Sequence, residues 1–113
     1  MSPKTRSLPR RKYAPIFAAL GDETRLALVA KLSKGEPSSI STLTEGTRLS
    51  RQAVTKHLRV LQGARIVRSV RAGREKLFEL DPAPIKQVGD YADAVSKQWD
   101  HALARLKAFV ERE

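Results

Sequence analysis

Apolar positions along the chain fall at helical spacing in five stretches and at strand spacing in one pair of runs. Tyr13, Ile16, Phe17 and Leu20 lie on one side of a helix predicted over about 13–20, with Pro15 tolerated in its first turn and Gly21 ending it. Asp22 is placed to cap a second helix, about 23–33, whose wide apolar face is Leu26, Leu28, Val29 and Leu32. Gly35 and Pro37 close that helix and open a polar loop, 36–39. A short third helix, about 40–46, turns Ile40 and Leu43 inward, and Thr47, Arg48 and Leu49 form a three-residue turn. Ser50 then caps a fourth helix running to Gln62, in which Val54, Leu58 and Leu61 recur at i, i+4 and i+7. Gly63 is expected to close it as a left-handed residue.

The period then changes. Residues 66–70 and 75–80 are β-rich runs joined by Arg71, Ala72, Gly73 and Arg74, a hairpin by spacing. After Asp81 and two prolines, a last helix of about 83–111 is predicted. Ile85, Val88, Ala92, Val95, Trp99, Ala102, Leu106 and Phe109 alternate at intervals of three and four, a heptad stripe. At ~1.5 Å per residue that stripe is about 36 Å long, more than a domain of this size covers from within. A second copy of the chain, related by a two-fold axis, is the economical cover, with Tyr13 and Phe17 of the first helix contributing. The bland alternative is a helix packed wholly on its own subunit. Gly89 is a weak point for helix formation, and it suits a close crossing of two helices.

The net charge of +10 over 113 residues matters through its distribution. Residues 1–12 carry five bases and no acid, and residues 48–76 carry nine bases and one acid, whereas 13–47 and 77–113 are slightly acidic. A solubilising surface would intersperse the signs; clustering of this kind is the footprint of a polyanion partner. The division that follows is a basic arm (1–12), a compact core (13–82) and a C-terminal dimerisation helix (83–113) within one domain. Cysteine is absent, so disulfides and thiolate metal sites are excluded, and no apolar run approaches a membrane span. No phosphate loop, paired acid and base or nucleophile elbow is present, so neither an enzyme nor a cofactor is expected, and the chain is read as cytoplasmic.

The candidate chemistry lies on the free face of the fourth helix, at Ser50, Arg51, Gln52, Thr55, Lys56 and Arg59. Arg and Gln make paired hydrogen bonds to guanine and adenine edges, while Lys, Ser and Thr suit phosphates. Two helices joined by a short turn, the second cationic outside, make a helix-turn-helix, and the hairpin behind it is a wing. Arg68, Arg71, Arg74 and Lys76 would put cations around the wing tip, within reach of flanking phosphates. His57 fits two roles, a phosphate contact or a packed residue at the helix edge. His101 reads as a surface residue and Trp99 as core or interface. The basic face also suits a nucleoid-type or RNA-binding protein without sequence choice, and a winged helix can serve as a protein-docking platform.

Three segments together resemble the ArsR-type winged helix-turn-helix repressors of prokaryotes: residues 19–26 (ALGDETRL), residues 49–61 (LSRQAVTKHLRVL), and Ile66-Val-Arg68 leading into Ala72-Gly-Arg74. The likeness runs from about residue 14 to 111. It implies a mainly helical fold with a two-stranded wing, and a homodimeric repressor binding double-stranded DNA at an inverted repeat. It also implies that Ser50, Arg51, Gln52, Thr55, Lys56 and His57 face DNA. Where the family's thiol sensors carry Cys-x-Cys, this chain has Ser39 and Ser41, and the last helix offers only His101, so the resemblance is to a metal-independent branch. No inducer is legible.

Overall fold

The computed structural model describes residues 10–112. Helix α1 (Arg10–Leu20) and helix α2 (Glu23–Leu32) are followed by a short strand β1 (Ser38–Ser39), helix α3 (Ile40–Thr44) and helix α4 (Arg51–Gly63). Strands β2 (Val67–Ala72) and β3 (Glu75–Leu80) form the hairpin, and α5 (Pro82–Glu111) completes the chain. The mainly helical winged fold expected from the sequence is present. The first helix starts earlier than expected, so Pro15 lies inside α1 and residues 10–12 of the basic arm are helical. The remainder of that arm lies outside the described residues.

Local chemistry sets the element ends. Asp22 caps α2 by accepting from the Arg25 N–H at 3.0 Å, and Ser50 caps α4 by accepting from the Ala53 N–H at 3.1 Å. The close of α4 differs from expectation. Gly63 stays helical, and the left-handed residue is Arg65 at φ 63°. The Arg65 N–H bonds to the Gln62 carbonyl and the Ile66 N–H to the Leu61 carbonyl, both at 2.9 Å, which is the paired closure of a Schellman motif. Ile66 and Leu61, both fully enclosed, supply its apolar contact.

The polar loop expected at 36–39 contributes a strand. Ser38 and Ser39 pair antiparallel with Phe78 and Leu77, giving a three-stranded sheet in the order β1-β3-β2. The hairpin is longer than expected, with Ala72 opposite Glu75 and Gly73 at φ 64° in a two-residue loop. Likewise α3 ends at Thr44, so residues 45–50, not three, connect it to α4. The Lys31 ammonium donates to the carbonyls of Leu43 and Glu45 at 3.2 and 3.3 Å and holds that turn against α2.

The core gathers Leu28, Leu32, Leu43, Val54, Leu58, Leu61, Ile66 and Phe78 between the helices and one face of the sheet. Leu26, expected on the apolar face of the second helix, is exposed, as is Phe17, which was expected to help meet a second copy. Helix α5 divides into two regimes. Val88 is buried and Ile85 half-buried in the subunit's own core, and the Tyr13 ring packs tilted against Tyr91 with ring centroids 5.1 Å apart. Val88 is therefore unavailable to a second copy, and Ile85 and Tyr13 serve their own subunit first. Phe17 lies 5.9 Å from Tyr91 yet keeps an open side. Beyond that point the helix runs free, which stretches the molecule to 68 × 30 × 21 Å. Ala92 is exposed, Val95 and Ala102 are half-covered, and Trp99, Leu106 and Phe109 are 64, 59 and 61% exposed. Leu103 and Val110, outside the expected stripe, are exposed beside them and widen it.

Candidate nucleic-acid interface

Helix α4 is two-faced by sequence and by environment. Val54, Leu58 and Leu61 are wholly enclosed, which fixes the rotation of the helix about its axis. Arg51, Gln52, Lys56 and Arg59 then project outward and, with Thr55 and Ile40, line a shallow depression of about 430 Å³. Among the described residues no carboxylate lies within ion-pair distance of Arg51, Lys56 or Arg59. Their charge is available to an external anion. The Ser50 hydroxyl is engaged as the helix cap, and the Thr55 hydroxyl donates to the Arg51 carbonyl at 2.7 Å. Both side chains thus spend their polar group partly on the helix itself.

His57 faces the other way. Its Nδ1 lies 3.3 Å from the Arg25 guanidinium and 3.8 Å from the Asp22 carboxylate. Arginine has no acceptor, so Nδ1 accepts and the ring is occupied within the subunit. Of the two roles open to His57, packing at the helix edge is the one for which the structure supplies contacts, all made through Nδ1. Arg25 also donates to the Ala19 carbonyl at 2.6 Å, tying the end of α1, the start of α2 and the middle of α4 into one cluster. The Arg25 backbone N–H is the main influence holding the Asp22 carboxyl below its ordinary range, and the charge of Arg25 adds to it. Arg25 was not singled out from sequence. Its role depends on tertiary proximity, and the only local hint is its position three residues after a capping aspartate.

The wing is polarised along its length. At its base Arg68 donates from Nε to Glu79 at 2.6 Å and lies 3.8 Å from Asp81. Its charge is compensated, and the expectation that it sits among the tip cations is corrected. Nearer the tip Arg71 stands directly opposite Lys76, and both are exposed. Like charges directly opposite cost stability in a sheet, so this arrangement favours an anion between them. Arg74, in the loop, adds a third cation, and none of the three has an ion-pair partner among the described residues. Lys76 also lies 5.5 Å from the Phe78 ring centre, which orients its stem along the strand.

Two cationic surfaces, the outer face of α4 and the wing tip, therefore flank a core that is otherwise neutral or acidic. No three His, Asp or Glu side chains converge as a metal site among the described residues. With no cysteine in the chain, the residues present do not fit the thiolate sets of metal-sensing proteins. No helix among the described residues is long and apolar enough to cross a membrane.

Comparison with known proteins agrees with this geometry. A helix-turn-helix domain family matches residues 20–70. The HTH-type transcriptional regulator Rv2034 of Mycobacterium tuberculosis is 34% identical over 97 residues, spanning 86% of this chain and 87% of its own. The transcriptional repressor SmtB homolog of Synechocystis is 32% identical over 71% of this chain and 61% of its own. Among solved structures, an ArsR-like transcriptional regulator from Rhodococcus sp. RHA1 superposes with a TM-score of 0.76 at 34% identity, covering 88% of this chain and 92% of that one.

Proposed function

This chain belongs to the ArsR-type winged helix-turn-helix transcriptional regulators, which bind DNA, and from that footing we propose that it is a dimeric, metal-independent repressor of an inverted-repeat operator. The observation that supports this best is the uncompensated cationic face of α4, held outward by three enclosed leucine and valine side chains. Arg51 and Gln52, at the amino end of the helix, supply base choice. Lys56, Arg59, Arg71, Arg74 and Lys76 supply affinity by releasing counterions from phosphates, with a correspondingly steep salt dependence. The exposed stripe from Trp99 to Val110 supports pairing through the far half of α5, with Phe17 beside its root. A two-fold axis there would set two α4 helices into successive major grooves ~34–36 Å apart. The repressor rather than activator reading follows the name carried by one relative.

The division of labour is testable on selected and scrambled duplexes. Gln52→Ala is expected to change the preferred sequence, at about 1–3 kcal/mol of discrimination. Arg74→Ala is expected to weaken all duplexes alike and to reduce the salt slope by about one phosphate. Equal losses from both substitutions on every duplex would instead describe a protein that binds nucleic acid without sequence choice.

A further inference from the structure

One side chain in the α4 depression does not match its surroundings. Ile40, the first residue of α3, lines the same 430 Å³ hollow as Arg51, Gln52, Thr55, Lys56 and Arg59. It is only half-buried, so part of this branched apolar side chain faces the hollow and not the core. Thr55 adds to that apolar character. Its hydroxyl is drawn back to the Arg51 carbonyl at 2.7 Å, which leaves its methyl as the part of the side chain without a partner. An apolar seat inside a cationic, amide-bearing hollow is poorly suited to phosphate or water. In the major groove the one apolar group a base edge offers is the C5-methyl of thymine.

We propose that Ile40, together with the Thr55 methyl, forms a seat for a thymine methyl and so makes the first residue of α3 a determinant of operator sequence. The inference rests on the reading that the outer face of α4 enters the major groove. It adds a specificity residue on α3, an element otherwise expected only to support α4. The neighbouring Gln52 would read the adenine of the same or the adjacent pair, so the seat and the amide together would select an A·T step.

The test removes only the methyl. The full-length protein is titrated against its selected operator, with each thymine replaced in turn by deoxyuridine. Wild type is expected to lose about four-fold in affinity at one symmetry-related thymine per half-site, the worth of one buried methyl group, and nothing at the others. Ile40→Ala should abolish that four-fold difference, binding the thymine and uracil duplexes equally. Ile40→Val, which keeps the fold if alanine does not, should reduce the difference to about two-fold, and Thr55→Ser should reduce it likewise. Because each comparison is a ratio between two duplexes for one protein, a partly unfolded variant does not distort it. Uniform indifference of wild type to deoxyuridine overturns the proposal, as does an undiminished difference in the Ile40 variants. If wild type does not prefer its operator to scrambled duplex at all, the groove-entry reading itself fails, a result distinct from either of these.

Discussion

Val54, Leu58, Leu61 and Ile66 are wholly enclosed, whereas Trp99, Leu103, Leu106, Phe109 and Val110 are each more than half exposed, although helical stripes in both regions follow the same three-and-four spacing. The winged core closes on itself because α4, α2 and the sheet each offer an apolar face to the others. Among the described residues the far half of α5 has no second element to meet, and it presents a stripe of a/d residues widened by Leu103 and Val110. A stripe of that width suits a helix inside a bundle better than a narrow two-stranded seam. One region is complete in a single chain, and the other leaves an open stripe that the proposed second copy would cover.

The sharpest way to break that comparison is to damage each region and watch different readouts. Leu58→Ala leaves a cavity in the enclosed core and is expected to cost 2–5 kcal/mol of unfolding free energy, seen in chemical denaturation. Leu106→Glu with Phe109→Glu is expected to leave the fold of the core intact by circular dichroism. In sedimentation it should convert a two-chain species into one chain, and affinity for an inverted repeat should fall about 100-fold, or about 2.7 kcal/mol. A two-chain species that survives the double substitution would mean that the exposed stripe is covered by something other than a second copy.

Smaller effects sharpen the picture within the enclosed core, at the end of α4, where the chain turns into the wing. Gly63 is the last helical residue, and a Cβ there would meet nothing within 4 Å. Gly63→Ala should therefore stabilise by about 1 kcal/mol. Arg65, two residues on, holds the left-handed position of the closure at φ 63°, where glycine is the usual occupant. Arg65→Gly should stabilise by a few tenths to ~1 kcal/mol, strain relief being offset in part by the freer unfolded chain. Thermal unfolding of the two variants checks both signs, and a loss on Arg65→Gly would show that the arginine side chain outweighs the backbone cost.

That closure also shows what was legible in the sequence. The glycine was the stronger local signal for a left-handed residue, yet the enclosed Ile66–Leu61 contact set the motif two residues later. Strong periodicity identified α4, the wing and α5, because each buries or offers a continuous stripe. Strand β1 was illegible since two serines have no period, and their pairing with Phe78 and Leu77 is long-range. The start of α1 was misplaced by reading Pro15 as a first-turn residue, whereas it lies inside the helix. On the interface, the cationic face was readable from charge without carboxylates. The withdrawal of His57 to Arg25 and of Arg68 to Glu79 was not, because both partners come from elsewhere in the fold.

The Arg25 cluster yields the smallest effect and isolates a single charge. Asp22 caps α2, and its carboxyl is held below the ordinary aspartate value of 3.8, first by the Arg25 N–H and then by the Arg25 charge. A carboxyl whose folded pKa lies below its unfolded one binds protons more readily when unfolded. Its contribution to stability is present in full above the unfolded value and is lost as pH falls through the folded value. Asn caps a helix about as well as Asp, so Asp22→Asn keeps the hydrogen bond and removes only the charge. The stability difference between wild type and Asp22→Asn should be constant from neutral pH down to about pH 5, and should then shrink toward zero below about pH 4. Raising salt at neutral pH should shrink the same difference, because the charge component is screened. A difference that stayed constant through the acid range would mean that the cap owes its strength to the hydrogen bond alone, and that the His57–Arg25 cluster holds α4 without help from the Asp22 charge.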